Sequence, residues 1–341
     1  MRIWAVSTAM FLGLAGVAQA GPLNFKQVAA DAKWVVHLDV DEMHENIVAQ
    51  RLYESSTQKF QNAEQHLDRL GSGLAMDPRK DLHEITVYSK QIGQHQGVVL
   101  VNADVNREML LEKAKKAPGH QSVSYGPYEI HSWTFAPGKK AEQGITMKIR
   151  VGAKLHAFHE HHAAGAFFKP NILVFAETVE DVKGALDVLD GKATSLYGRK
   201  SPLTEAIPAG TTILARAVDL SSADCDSALL KQSDTINIVM GEDQGRSFLD
   251  AALLTKSAQA ADQIKQIVDG ARALAQLQHG GDAQIGKLLG QIQVQESGTM
   301  VSVALRAPAE DVATVLEKVE SELAKHFHKF APPEAKPGPG K

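Results

Sequence analysis

The stretch DAKWVVHLDVD, Asp31 to Asp41, has a later counterpart in AGTTILARAVD, Ala209 to Asp219. Each follows a turn- or helix-prone segment, runs through aliphatic residues and ends in Val-Asp before a polar stretch. In the first, Trp34, Val36, Leu38 and Val40 alternate with Val35, His37 and Asp39, the period-two pattern of a strand with two unlike faces.

Working outward, the neighbours of the two stretches correspond as well. In the first half LHEITVYSK and GVVLVNADV read as two strands about a Gly-containing turn, followed by a helix in NREMLLEKAKKA. In the second half DTINIVMGED and RSFLDAALLTK flank Gln244-Gly245, and a helix runs from Ser257 to about Leu277. Both halves then close with strands and a helix. SVSYG, YEIHSWTF and ILVFAE precede TVEDVKGALDVLDG, where Thr178 is a helix cap, Gly191 a stop, and Val179, Val182, Leu186 and Leu189 share one face. QIQVQES and TMVSVALRA precede Pro308 and a helix to about Phe330, striped by Val312, Val315, Leu316, Val319, Leu323 and Phe327. The expectation is an α+β fold: two tandem similar modules of antiparallel sheet with helices packed on one face.

The halves also differ. The first carries a long amphipathic segment, Met43 to Leu70, with Phe60, Ala63, Leu67 and Leu70 on one face; the second has only SSADCDSALLKQ there. The first alone has an insert, Ala136 to Ala164. The expected organisation is a signal peptide over 1–20, a first module over 21–195, a linker over 196–208, a second module over 209–330 and a disordered Pro/Gly/Lys-rich tail over 331–341.

The N-terminus predicts export. Arg2 precedes an apolar run from Ile3 to Val17, and Ala18-Gln19-Ala20 forms a cleavage site before Gly21. An uncleaved anchor is the alternative. No later run approaches about 18 apolar residues, so membrane insertion after cleavage is not expected; the location is periplasmic or extracellular. With Cys225 the only cysteine, no intramolecular disulfide can form, and burial must stabilise the fold. A net charge of -4 and a pI near 6.4 give no basic field for nucleic acid.

DAKWVVHLDVD, MDPRKDLHEITVY and ALDVLDGK resemble a type of uncharacterised secreted protein from environmental bacteria, through most of both halves. The resemblance implies an exported α+β protein with no known activity, and it carries no functional residue onto this chain.

The most conspicuous chemistry is KLHAFHEHHAAGAF, where His156, His159, His161 and His162 surround Glu160. Neutral imidazoles bind Zn, Cu or Ni, and three or four must converge on one ion. On a strand His159 and His161 would lie on one face, and His156 and His162 on the other. The simpler account is a solvated His-rich loop at the tip of the insert, since the helical pattern H-E-x-x-H is absent. The second candidate is HLDVDEMHE, where Asp39, Asp41, Glu42, His44 and Glu45 could bind a hard cation or act as an acid/base pair. The competing account makes Asp41 the cap of the following helix and the others first-turn charges. His37 and Asp39, on one side of the strand, could also pair. Cys225, between two aspartates, is a poor nucleophile, and no nucleophile elbow, P-loop, dinucleotide fingerprint or C-x-x-C occurs. The expectation is an exported non-enzymatic binding or structural protein of unknown partner. The alternatives are a metal-binding protein using the His156–His162 loop and an enzyme with a motif-free site between the modules.

Overall fold

The computed structural model describes residues 22–59, 63–92, 97–135, 161–223 and 227–330. The first half runs β1 (Trp34–Asp39), α1 (Val40–Glu45), α2 (Ile47–Lys59), α3 (Ala63–Leu74), β2 (Leu82–Ser89), β3 (Val98–Ala103), α4 (Arg107–Lys116), β4 (Gln121–Tyr125), β5 (Tyr128–Phe135), β6 (His161–Lys169), β7 (Ile172–Ala176) and α5 (Val179–Leu189). The second runs β8 (Thr211–Val218), α6 (Ala228–Lys231), β9 (Ser233–Asp243), β10 (Arg246–Thr255), α7 (Ala258–His279), α8 (Ala283–Gln291), β11 (Gln293–Ser297), β12 (Met300–Pro308) and α9 (Ala309–Phe330).

All these strands join one antiparallel sheet of 12, in the order β11-β12-β10-β9-β8-β1-β2-β3-β7-β6-β5-β4. The two stretches that opened the sequence reading are its centre. β1 and β8 pair from Trp34↔Ala217 to Leu38↔Ile213. The pair is extended by the Val218 N–H donating to the Lys33 carbonyl at 2.8 Å and by a Lys33–Asp219 ion pair. Outward from this seam the strands run β1-β2-β3-β7-β6 on one side and β8-β9-β10-β12-β11 on the other. The hairpin β4–β5 is the first half's addition. At the β8–β9 crossing, a side chain on Gly210 (φ 70°) would run into the Glu242 carbonyl, and one on Gly241 into the Gly210 carbonyl; only glycine admits so close an approach.

One sheet face is a continuous core. Val35, Tyr88, Leu100, Val174 and Ala164 from the first half join Leu214, Val239 and Phe248 from the second. α5 seals it with Val182, Ala185, Leu186 and Val188, held by the expected cap, in which Thr178 Oγ1 accepts from Asp181 N at 3.1 Å, and by Gly191 at φ 73°. Residues 196–208 pack into this core through Leu196 and Leu203 and are fastened by Arg216. Its buried guanidinium donates to the carbonyls of Leu203, Glu205 and Ala206 and to Asn237 Oδ1.

The helices are shared between both faces, where the sequence reading had placed them on one. On the face opposite α5, Val40 of α1 and Leu110 of α4 cover Val101, Ala103 and Leu173, and Ala261 and Ile264 of α7 cover Val301 and Leu253. The reason lies in the strands: Leu173 and Val174, or Val99 and Leu100, are both apolar, so neither face can be left to water.

Candidate functional site

The end of β1 gathers two raised carboxyl groups and a raised imidazole. Asp39 closes the strand and is nearly buried, 5% exposed, and its Oδ1 accepts from Glu42 N at 2.9 Å. Asp39 is therefore the cap of α1, which the sequence reading had assigned to Asp41. The helix starts early because Val40 is drawn into the core with Leu82 and Val101.

That frees Asp41 for His83 at the start of β2. His83 Nδ1 lies 3.0 Å from Asp41 Oδ1, and its Nε2 lies 3.5 Å from Asp104 Oδ2. Burial works against the imidazolium, but the two carboxylates outweigh it and raise the His83 pKa. Glu42 sits in the first turn of α1, while His44 and Glu45 are exposed, as solvated charges.

On the core face, Asp39 stands directly across from Glu84 of β2, and Glu84 across from Asn102 of β3. Burial raises the Asp39 pKa against the pull of its backbone hydrogen bonds. Burial, then the charge of Asp39, pushes Glu84 up to about 7, although a hydrogen bond from Asn102 opposes this. Asn171 Nδ2 in turn donates to Asn102 Oδ1 at 2.8 Å. Two residues along the same face, His37 Nδ1 lies 2.8 Å from Thr86 Oγ1. Chemically the carboxyl pair can hold and release one proton near neutral pH.

The histidine cluster divides. His156 and His159 lie outside the described residues. His161 and His162 open β6, opposite Phe135 and Thr134. Cys225 also lies outside the described residues. Among the described residues no group of three or more His, Cys, Asp or Glu is placed to hold a metal ion. A histidine pair that the sequence reading missed joins β4 to β5: His120 Nε2 lies 3.1 Å from His131 Nδ1. The rings are 24° from parallel with centroids 5.3 Å apart, the arrangement of two imidazoles joined end to end by one N–H···N bond. Burial lowers the His131 pKa. Its signal was the alternation of YEIHSWTF, which sets His131 on the opposite face from buried Ile130.

Two adjoining shallow clefts of about 140 and 360 Å³ run along α5 and share Ala29, Lys90 and Gly184. Tyr88 and Asp181 line the smaller, Asp187 and Arg199 the larger, and neither reaches Asp39 or Glu84. The other notable surface is the seam. On the α5 side, Val35 and Leu214 are fully buried; on the other side, Val36 is 38% exposed, with Trp34, Ala215, Ile236 and Ile238 half-buried.

No protein-family model matches the chain, and no curated protein matches it. Among solved structures it is similar to the treponemal protein TP0453. Crystal form III aligns at 8% identity over 88% of this chain and 100% of that one with a TM-score of 0.43, and crystal form I at 8% over 88% and 98% with a TM-score of 0.41.

Proposed function

We propose that this chain is an exported, non-enzymatic binding protein whose partner docks on the apolar sheet surface at the seam between its halves. The observation that carries the reading is the contrast across β1, β8 and β9. Val35, Leu214 and Val239 on the α5 side are buried, while on the other side Val36 is exposed and its neighbours Ala215, Ile236 and Ile238 are half-buried. An apolar strip that folding buries only in part offers a partner a surface to complete. The N-terminal leader pattern supports export. The clefts along α5 are shallow, and Lys90, which lines both, is paired with Asp31 at 3.0 Å, which supports binding over turnover.

The test is a photo-crosslinking residue placed at Val36 of the intact protein in the host that makes it, with one at Lys116 on exposed α4 as the control. A discrete adduct from position 36 alone, lost when Ile238→Asp is added, is the expected result. Equal labelling from both positions, or no adduct from a protein with native circular dichroism, overturns the proposal.

A further inference from the structure

The Asp39–Glu84 pair does more than close a strand. The β1–β2 register sets Asp39 and Glu84 opposite one another on the core face, with Asp39 almost wholly buried. Like charges in that position repel. On the same face of β1, His37 lies buried with its Nδ1 2.8 Å from Thr86 Oγ1. From α1, Asp41 and Glu42 add further negative charge, and from β2 the one facing cation is His83, already engaged by Asp41 and Asp104. β3 and the β6–β7 turn contribute the neutral amides of Asn102 and Asn171. From β8, Thr212 and Ile213 bring no charge.

Asp39 is at the same time the cap of α1. That helix has six residues, too few to persist without its cap and the burial of Val40. Displacing the Asp39 carboxylate therefore removes what holds α1 in place, and α1 leads within two residues into α2.

We propose that Asp39 and Glu84 share a single proton whose loss unseats α1, making this corner of the fold a pH-sensitive latch. With the proton present, Glu84 is neutral, bonded to Asn102, and Asp39 stays ionised under the Glu42 N–H. Without it, two carboxylates confront each other, and their repulsion draws the Asp39 carboxylate off the Glu42 N–H. The sign follows from the proton count. Folded Glu84 keeps its proton to about 7, whereas an unfolded glutamate releases it near 4.3. The latched form binds more protons between those values, so latching is strongest below them and weakens as pH rises through 7.

Amide hydrogen exchange on the full chain, corrected for intrinsic rates, tests this. Between pH 6 and pH 8 the α1 amides should lose about tenfold in protection, with α5 amides unchanged as reference. In Glu84→Gln the α1 protection should be the same at both pH values. Unchanged wild-type protection overturns the proposal. So does a tenfold loss that persists in Glu84→Gln, because that would place the effect on His83. Should Glu84→Gln fail to fold, carboxyl NMR of the wild-type protein decides: a Glu84 midpoint near 7 that coincides with the loss of α1 protection upholds the latch, and an ordinary glutamate midpoint overturns it.

Discussion

The two halves share a strand plan but not the way their helices pack on it. Outward from β1 and from β8 the strands come in the same order, yet the helices meet the sheet differently. In the first half α5 buries Val182, Ala185, Leu186 and Val188 almost completely. In the second, α7 is twice as long but buries only Ala260, Ala261 and Ile264, near its start, and leaves Ile267, Leu274 and Leu277 exposed. A pairing order can be repeated with little of the packing that surrounds it, because backbone ladders tolerate side-chain change and cores do not.

The comparison can be broken most severely at Arg216. Arg216→Ala strips the donor from three carbonyls and Asn237 and should cost about 3 kcal/mol by urea unfolding. Both described tryptophans, Trp34 and Trp133, belong to the first half. Circular dichroism and tryptophan fluorescence should therefore part company if the seam fails to couple the halves, and coincide if it holds.

Next, Leu186→Ala in α5 should cost about 3 kcal/mol, whereas Leu274→Ala in α7 should stay within about 0.5 kcal/mol. Equal losses would mean that α7 has a partner the comparison does not include. A smaller effect is expected at the α2–α9 contact, where Arg51 meets Glu310 and Glu317 and Ser55 and Ser56 meet Glu320. Arg51→Ala should loosen α9 in hydrogen exchange at low salt, and the difference should shrink in 1 M NaCl, as exposed ion pairs are screened. Last, zinc added to tagless protein should leave the Tm unchanged; a rise of several degrees would make the His156–His162 stretch a metal site.

What could be read in advance followed from local pattern. The α5 stripe with Thr178 and Gly191 at its ends and the hairpins were legible because period and capping are properties of neighbours in sequence. α8 escaped notice because Gly286 and Gly290 dilute its helical signal. The site was half legible. HLDVDEMHE drew attention to Asp39 and Asp41, but which of them caps depended on Val40 finding the core. Glu84 was invisible as a partner because its place opposite Asp39 is fixed by strand register between segments far apart in sequence. The same holds for His120 and His131, which a turn brings together.

The seam has one further consequence. Strand edges are adhesive, and a lone half would present Trp34–Asp39 or Thr211–Val218 bare to other chains. By spending those edges on each other, the chain keeps as its sheet's outer borders only QSVSY and QVQES, two five-residue polar strands, roughly 50 Å apart at the usual strand spacing. The molecule thus guards against end-to-end polymerisation by the same hydrogen bonds that unite it.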